Sequence, residues 1–186
     1  SLGRMPAGQR PAAGVENLEI MNAGIIIAMG SGVNAVDAFN TKATNIINSG
    51  TIQATSGAAI QVEGVFEVVE NGQVIETLIS SANIENDGII IGDIVLGEGD
   101  DVLTSSGMIQ GDVFLGDGDD QANFLAGSVL TGVIDGGDGT DTINVATDVN
   151  GNVIAQLGGI INFEIANIDL DGDIIIDDPD APDTLI

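Results

Sequence analysis

The sequence repeats itself at an interval too short for an independent fold. Gly97-Glu98-Gly99-Asp100-Asp101, Gly116-Asp117-Gly118-Asp119-Asp120 and Gly137-Asp138-Gly139-Thr140-Asp141 begin 19 and 21 residues apart. Each follows a glycine by five residues (Gly92, Gly111, Gly132) and a second glycine by nine or ten (Gly88, Gly107, Gly127). A unit of about 20 residues cannot bury its own apolar face, so it must stack on its neighbours. The constraint admits a solenoid and little else.

Apolar residues take aligned places between these punctuation marks. Ile90, Ile109 and Val129 fall on one position, and Ile94, Val113 and Ile134 on another. Leu103, Ala122 and Ile143 make a third, then Ser105, Phe124 and Val145 a fourth. Alternation of apolar and polar neighbours is the period of a strand, and glycines mark the corners. Three short strands per coil describe an all-β chain, a right-handed parallel β-helix with about 20 residues per coil. Allowing for insertions, seven or eight coils at a strand spacing near 4.8 Å give a rod ~35–40 Å long.

Residues 1–15, rich in Gly, Pro, Ala and Gln, read as a flexible or edge-lying N-terminal arm, with regular structure from about Glu16. Residues 16–178 form the β-helix and 179–186 a C-terminal extension. In the first half Asn22-Ala23-Gly24, Asn48-Ser49-Gly50 and Asn86-Asp87-Gly88 recur at 26 and 38 residues, so coils there carry insertions or are doubled. The three asparagines fit a stacked amide ladder inside a turn better than a ligand set. Val65 to Leu78, centred on Asn71-Gly72, reads as a projecting β-hairpin over about 65–79, because Asn-Gly supplies the positive φ angles of a type I′ turn. Asn150-Gly151 suggests a second, shorter one. Asp169, Asp171, Asp173, Asp177 and Asp180 match an EF-hand frame only loosely, since Ile174 stands where glycine is needed. A terminal strand Ile174-Ile175-Ile176 is the simpler reading.

Composition narrows the function. The chain carries 29 acidic residues against three basic ones, Arg4, Arg10 and Lys42. That balance repels nucleic acid and anionic membrane surfaces, and its apolar runs, such as Gly24 to Met29, are too short to span a bilayer. There is no Cys or His, hence no thiolate or imidazole chemistry. No secretory leader is read from the first residues, which suits a mature or trimmed product.

Overlaying the three turns gives three acidic columns. Glu98, Asp117 and Asp138 form one; Asp100, Asp119 and Thr140 the second; Asp101, Asp120 and Asp141 the third. Stacked like charges about 4.8 Å apart repel by roughly 1 kcal/mol per pair even in water. Carboxylates and turn carbonyls are hard oxygen donors of the kind Ca²⁺ prefers. The expectation is a set of calcium-binding turns whose metal residues are Glu98, Asp100, Asp101, Asp117, Asp119, Asp120, Asp138 and Asp141.

Two resemblances follow from these residues. Gly136-Gly137-Asp138-Gly139-Thr140-Asp141-Thr142-Ile143-Asn144 resembles the calcium-binding nonapeptide of the repeats-in-toxin family. That family's motifs follow one another every nine residues, whereas these recur about every 20, so the resemblance implies turn chemistry and not a β-roll. Asn48-Ser49-Gly50-Thr51-Ile52, the Gly-Asp-Asp coils and Gly159-Ile160-Ile161-Asn162-Phe163-Glu164 look like the passenger region of bacterial autotransporters, over roughly Asn17 to Asp173. This implies an extracellular or bacterial cell-surface location. No membrane barrel follows these residues, which suits a fragment, a processed passenger or a freestanding secreted relative.

The reading is a non-enzymatic structural or adhesive module, stiffened by Ca²⁺, that meets a host or cell-surface ligand and stacks head-to-tail into filaments through open strand edges. The alternative is a carbohydrate-active β-helix (a glycoside hydrolase or tailspike-like protein) using paired aspartates such as Asp100 and Asp101. Against it stand the absence of Trp and Tyr for stacking sugars and the redundancy of a repeated ladder. An ice-binding solenoid would need a flat Thr or Asn array, which the sequence does not display.

Overall fold

The computed structural model describes residues 15–39, 41–70, 72–146, 155–168 and 184–185. The chain winds through three parallel sheets, visiting each once per coil. Sheet A contains Val15–Asn22, Thr41–Asn48, Ser81–Asn86, Val102–Ser105, Gln121–Phe124, Thr142–Val145, Ile165–Ile168 and Thr184–Leu185. Sheet B contains Ile25–Ala28, Thr51–Ala54, Ile89–Ile91, Met108–Gln110 and Val129–Leu130. Sheet C contains Val36–Ala38, Ile60–Val62, Ile94–Val95, Val113–Asp117, Val133–Asp138 and Gly159–Ile161. This is a parallel β-helix. Among the described residues no helix is long and apolar enough to cross a membrane.

Short β-branched runs suit the wall of such a stack, because each side chain packs on the one above it. One column of sheet A reads Ile46, Ile84, Leu103, Ala122 and Ile143, all fully buried. The next inward column exchanges volume with it. Where Leu103 gives way to Ala122, Ser105 gives way to Phe124. Large and small side chains trade places between neighbouring columns and keep the narrow core filled.

Three of the four aligned apolar columns stand as expected, and one is shifted. Ile109 pairs with Leu130, and Val129 pairs with the outward Met108. The turn from Phe124 to Val129 holds two more residues than the turn from Ser105 to Met108, which accounts for the slip. The Ser128 N–H and hydroxyl both donate to the Leu125 carbonyl, at 3.1 and 2.8 Å, closing a small loop around Gly127 (φ +86°). Ser128, not Gly127, thereby takes the stacked position that Gly107 holds one coil earlier.

The 38-residue interval is a single coil with an insertion. Val65–Glu70 and Gln73–Ile79 pair antiparallel as a two-stranded ribbon, with an irregularity between Val68 and Val69 and Gly72 at φ +77° in its turn. The asparagine ladder forms as expected. Asn22 donates to Asn48 Oδ1 and Asn48 to Asn86 Oδ1, each at 2.8 Å, and Asn86 donates to Ser105 Oγ at 3.2 Å. The first described strand begins at Val15, and Thr184–Leu185 pairs with Ile165–Ile168 in sheet A. The proposed Asn150-Gly151 turn, the Ile174–Ile176 strand and most of the N-terminal arm lie outside the described residues.

Three successive A–B corners have room for glycine alone. A Cβ on Gly50, Gly88 or Gly107 would overlap the carbonyl oxygen of the glycine one coil earlier. Gly24, in the first described coil, would meet only Asn22 Oδ1 at 3.9 Å, an ordinary contact. Gly88→Ala is therefore expected to destabilise by about 2 kcal/mol or more. Gly24→Ala should stay within about 0.5 kcal/mol of the parent. Urea unfolding of the two variants side by side measures the difference.

Candidate functional site: the acidic corner

The turns that return the chain from sheet C to sheet A bring the three acidic columns onto one edge of the stack. Asp117 bridges Glu98 and pairs with Asp138, while Gly116 pairs with Gly137. Glycines at φ +117°, +147° and +150° (Gly99, Gly118, Gly139) turn the backbone so that the next residue points outward and the one after it inward. That is why Asp100, Asp119 and Thr140 are exposed, while Asp101, Asp120 and Asp141 are at most 1 % exposed.

Backbone N–H groups from adjacent coils cap both files of carboxylates, in opposite directions. In the outer file Asp100 accepts the N–H of Asp119 at 3.0 Å, and Asp119 accepts that of Thr140 at 2.9 Å. Each looks toward the following coil. In the inner file Asp101 accepts from Ala82 (2.6 Å), Asp120 from Asp101 (2.7 Å) and Asp141 from Asp120 (2.8 Å), each looking back. Glu164 continues this file by accepting the Asp141 N–H at 2.7 Å. A second corner repeats the device: Asp93 accepts from Asp112, and Asp112 from Val133, both at 2.9 Å.

Magnitudes decide what this means. A hydrogen bond to a charged acceptor contributes about 1.5–3 kcal/mol, against roughly 1 kcal/mol of repulsion per exposed pair. The backbone hydrogen bonds of the outer file thus outweigh its own charge repulsion. The inner file is different. One oxygen of each of Asp101, Asp120 and Asp141 is buried with no hydrogen-bond partner. Burial raises Asp101 to about 8, with the Ala82 N–H pulling the other way and Asp120 and Asp100 adding to the rise. It raises Asp120 to about 6, opposed by the Asp101 N–H and reinforced by Asp141, Asp100 and Asp119. Asp141 also reaches about 6, through burial first, opposed by the Asp120 N–H and reinforced by Glu164, Asp119 and Asp135. Leu96 and Leu115 stand at one register position on the strands entering the first two turns, and Gly136 occupies it in the third. A Cβ on Gly136 would lie 2.7 Å from Asp141 Oδ2, so glycine leaves room there for that oxygen.

Among the described residues, no group of three or more carboxylates converges as a metal cage would require. Each inner carboxylate commits one oxygen to an N–H donor and has the other buried. The outer positions fit Ca²⁺ better. Glu98 and Asp117 border a shallow groove of about 430 Å³ shared with Glu63, Gly97 and Gly116. Burial, and secondarily Asp37, raises Glu63 above the usual carboxylate range, and its Oε2 has no partner. An ion there would take one carboxylate from each of two successive coils and complete its shell with turn carbonyls and water.

Sequence spacing placed the eight corner residues in three columns but not the outward turn of the Asp100 column or the inward turn of the Asp101 column. It also missed Glu164, because the interval from Asp141 lengthens to 23 residues. A further ladder, Thr104–Asn123–Asn144–Asn167, runs up the face of sheet A, with amide contacts of 3.2, 2.7 and 2.7 Å. It is a single polar file beside a mixed one (Val102, Gln121, Thr142, Ile165) and not a two-dimensional array. No family model, curated protein or solved structure matches this chain.

The raised inner carboxylates set the pH dependence of stability. Below about pH 4 these groups are protonated in folded and unfolded chains alike, and there is no penalty. As pH rises to about 6 for Asp120 and Asp141, and about 8 for Asp101, the unfolded chain ionises first and stability falls. Asp120→Asn, which keeps an oxygen for the Asp101 N–H, should flatten the profile between pH 4 and 6. Melting temperatures across that range for parent and variant test this.

Proposed function

We propose that the chain is a non-enzymatic structural or adhesive rod of the bacterial surface or extracellular space, similar to autotransporter passengers. The observation that supports this best is redundancy: the acidic side chains stand in columns, each coil offering what its neighbour offers. Catalysis needs one constellation unlike its surroundings, with acid and base held in different environments. A column of equivalent positions serves a mechanical or multivalent role instead. The Asp100 and Asp101 pair of the carbohydrate-active alternative fares worse for the same reason, since Asp101 is buried and turned inward. Release of reducing sugar from any member of a polysaccharide panel would overturn the non-enzymatic reading.

Calcium belongs to this proposal as the counterion of the exposed corner, held by Glu98, Asp100, Asp117, Asp119 and Asp138. Head-to-tail stacking belongs to it too. Among the described residues Val15–Asn22, Ile25–Ala28 and Val36–Ala38 each have a neighbour on one side only, so parallel strands can add to all three sheets at that end. An ion bound only by the folded chain at 100 times its dissociation constant would stabilise by about 2.7 kcal/mol. The expected outcome is a melting temperature higher in Ca²⁺ than in Na⁺ of equal ionic strength, with Asp117→Asn reducing the gain. An identical melt in chelator would remove calcium from the account.

A further inference from the structure

In a chain with a net charge of −26, sheet B is free of charge. Its five strands contain no Asp, Glu, Lys or Arg, and the nearest carboxylates, Asp87, Asp93 and Asp112, stand at its corners. Its outer face is apolar. One outward column reads Ile25, Thr51, Ile89, Met108 and Val129, and the other Ile27, Gln53, Ile91 and Gln110. Ile25 is 72 % exposed, Ile27 49 %, and Ile89 and Met108 40 % each. Met29, Val33 and Leu125, in the segments that flank its strands, are exposed as well. An uncharged face with exposed isoleucine and methionine side chains, on a chain this acidic, is the kind of surface that marks an interaction site.

We propose that this face is a lateral self-association surface that receives the same face of a second copy of the chain. Two features select a copy over another occupant. The first is shape. Beside the Ile25–Val129 column runs a groove of about 470 Å³ floored by Gly50, Gly88 and Gly107 and bordered also by Ser49, Asp87 and Ser106. Ridge and groove lie parallel on one face. A two-fold axis along the stack therefore sets the ridge of each copy into the groove of the other, the isologous arrangement of a closed dimer. Both stacks share one strand spacing, so the fit repeats coil after coil. The second is charge. The acidic turns connect sheet C to sheet A, at the vertex opposite sheet B. Two strongly negative rods meeting through sheet B keep the acidic corner between sheets C and A away from the contact and leave Asp87, Asp93 and Asp112 at its rim.

Sedimentation velocity on the folded chain, from micromolar to several hundred micromolar and at two ionic strengths, tests this. The expected result is a monomer–dimer equilibrium that moves toward dimer as salt screens the remaining repulsion. Ile89→Lys and Met108→Lys, checked for unchanged circular dichroism and melting, should each weaken the dimer at least tenfold. Ile25→Lys, at a more exposed position, supplies a third variant should either fail to fold. A chain that stays monomeric throughout, or a dimer undiminished in the folded lysine variants, overturns the proposal. So does an open-ended series of oligomers insensitive to these lysines, which would instead support the end-to-end stacking proposed above. Flotation of a monomeric chain with phosphatidylcholine vesicles, lost in the same variants, also overturns it, because lipid would then be the occupant.

Discussion

Every column in this molecule exists because successive coils pair in parallel, residue over residue, with the backbone as the spacer. The glycine corners make that pairing tight enough to be obligatory: Gly50, Gly88 and Gly107 leave no space for a Cβ between one turn and the next. Once the corners are locked, each side chain meets its counterpart one coil away, and identical residues form ladders instead of isolated contacts. Apolar ladders make the core, amide ladders satisfy the buried turn, and carboxylate ladders collect at the corner between sheets C and A.

Stacking carboxylates is electrostatically adverse, and the fold meets this with its own backbone. The outer aspartates take N–H groups from the coil that follows, and the inner ones from the coil that precedes. These opposed files tie each turn to both neighbours and resist slippage of register. The cost is concentrated on the inner file, where burial leaves one oxygen of each aspartate without a partner. Retention of a proton is the response available within the chain, and it makes the corner's electrostatics a function of pH instead of a fixed charge.

Charge is also partitioned around the cross-section. Carboxylates occupy corners and the faces of sheets A and C, while sheet B carries none. A solenoid can do this because each sheet samples one phase of the repeat: a residue type excluded from that phase is excluded from an entire face.

Much of this was legible from periodicity. The interval between Gly-Asp turns determined the architecture, the stacking of Asn22, Asn48 and Asn86, and the gathering of Glu98 through Asp141 on one edge. Those conclusions need only the rule that residues one coil apart lie above one another. Tertiary structure decided the rest, for reasons that spacing cannot encode. Asp100 and Asp101 are adjacent and chemically identical, and only the positive φ of Gly99 sends one into solvent and the other into the interior. The loop around Gly127 is two residues longer than the turn it stacks on, which moved Leu130 into the place that counting had given to Val129. The neutrality of sheet B was present in the letters all along. It became a property of the molecule only when winding gathered five separate segments onto one face, across from the acidic corner.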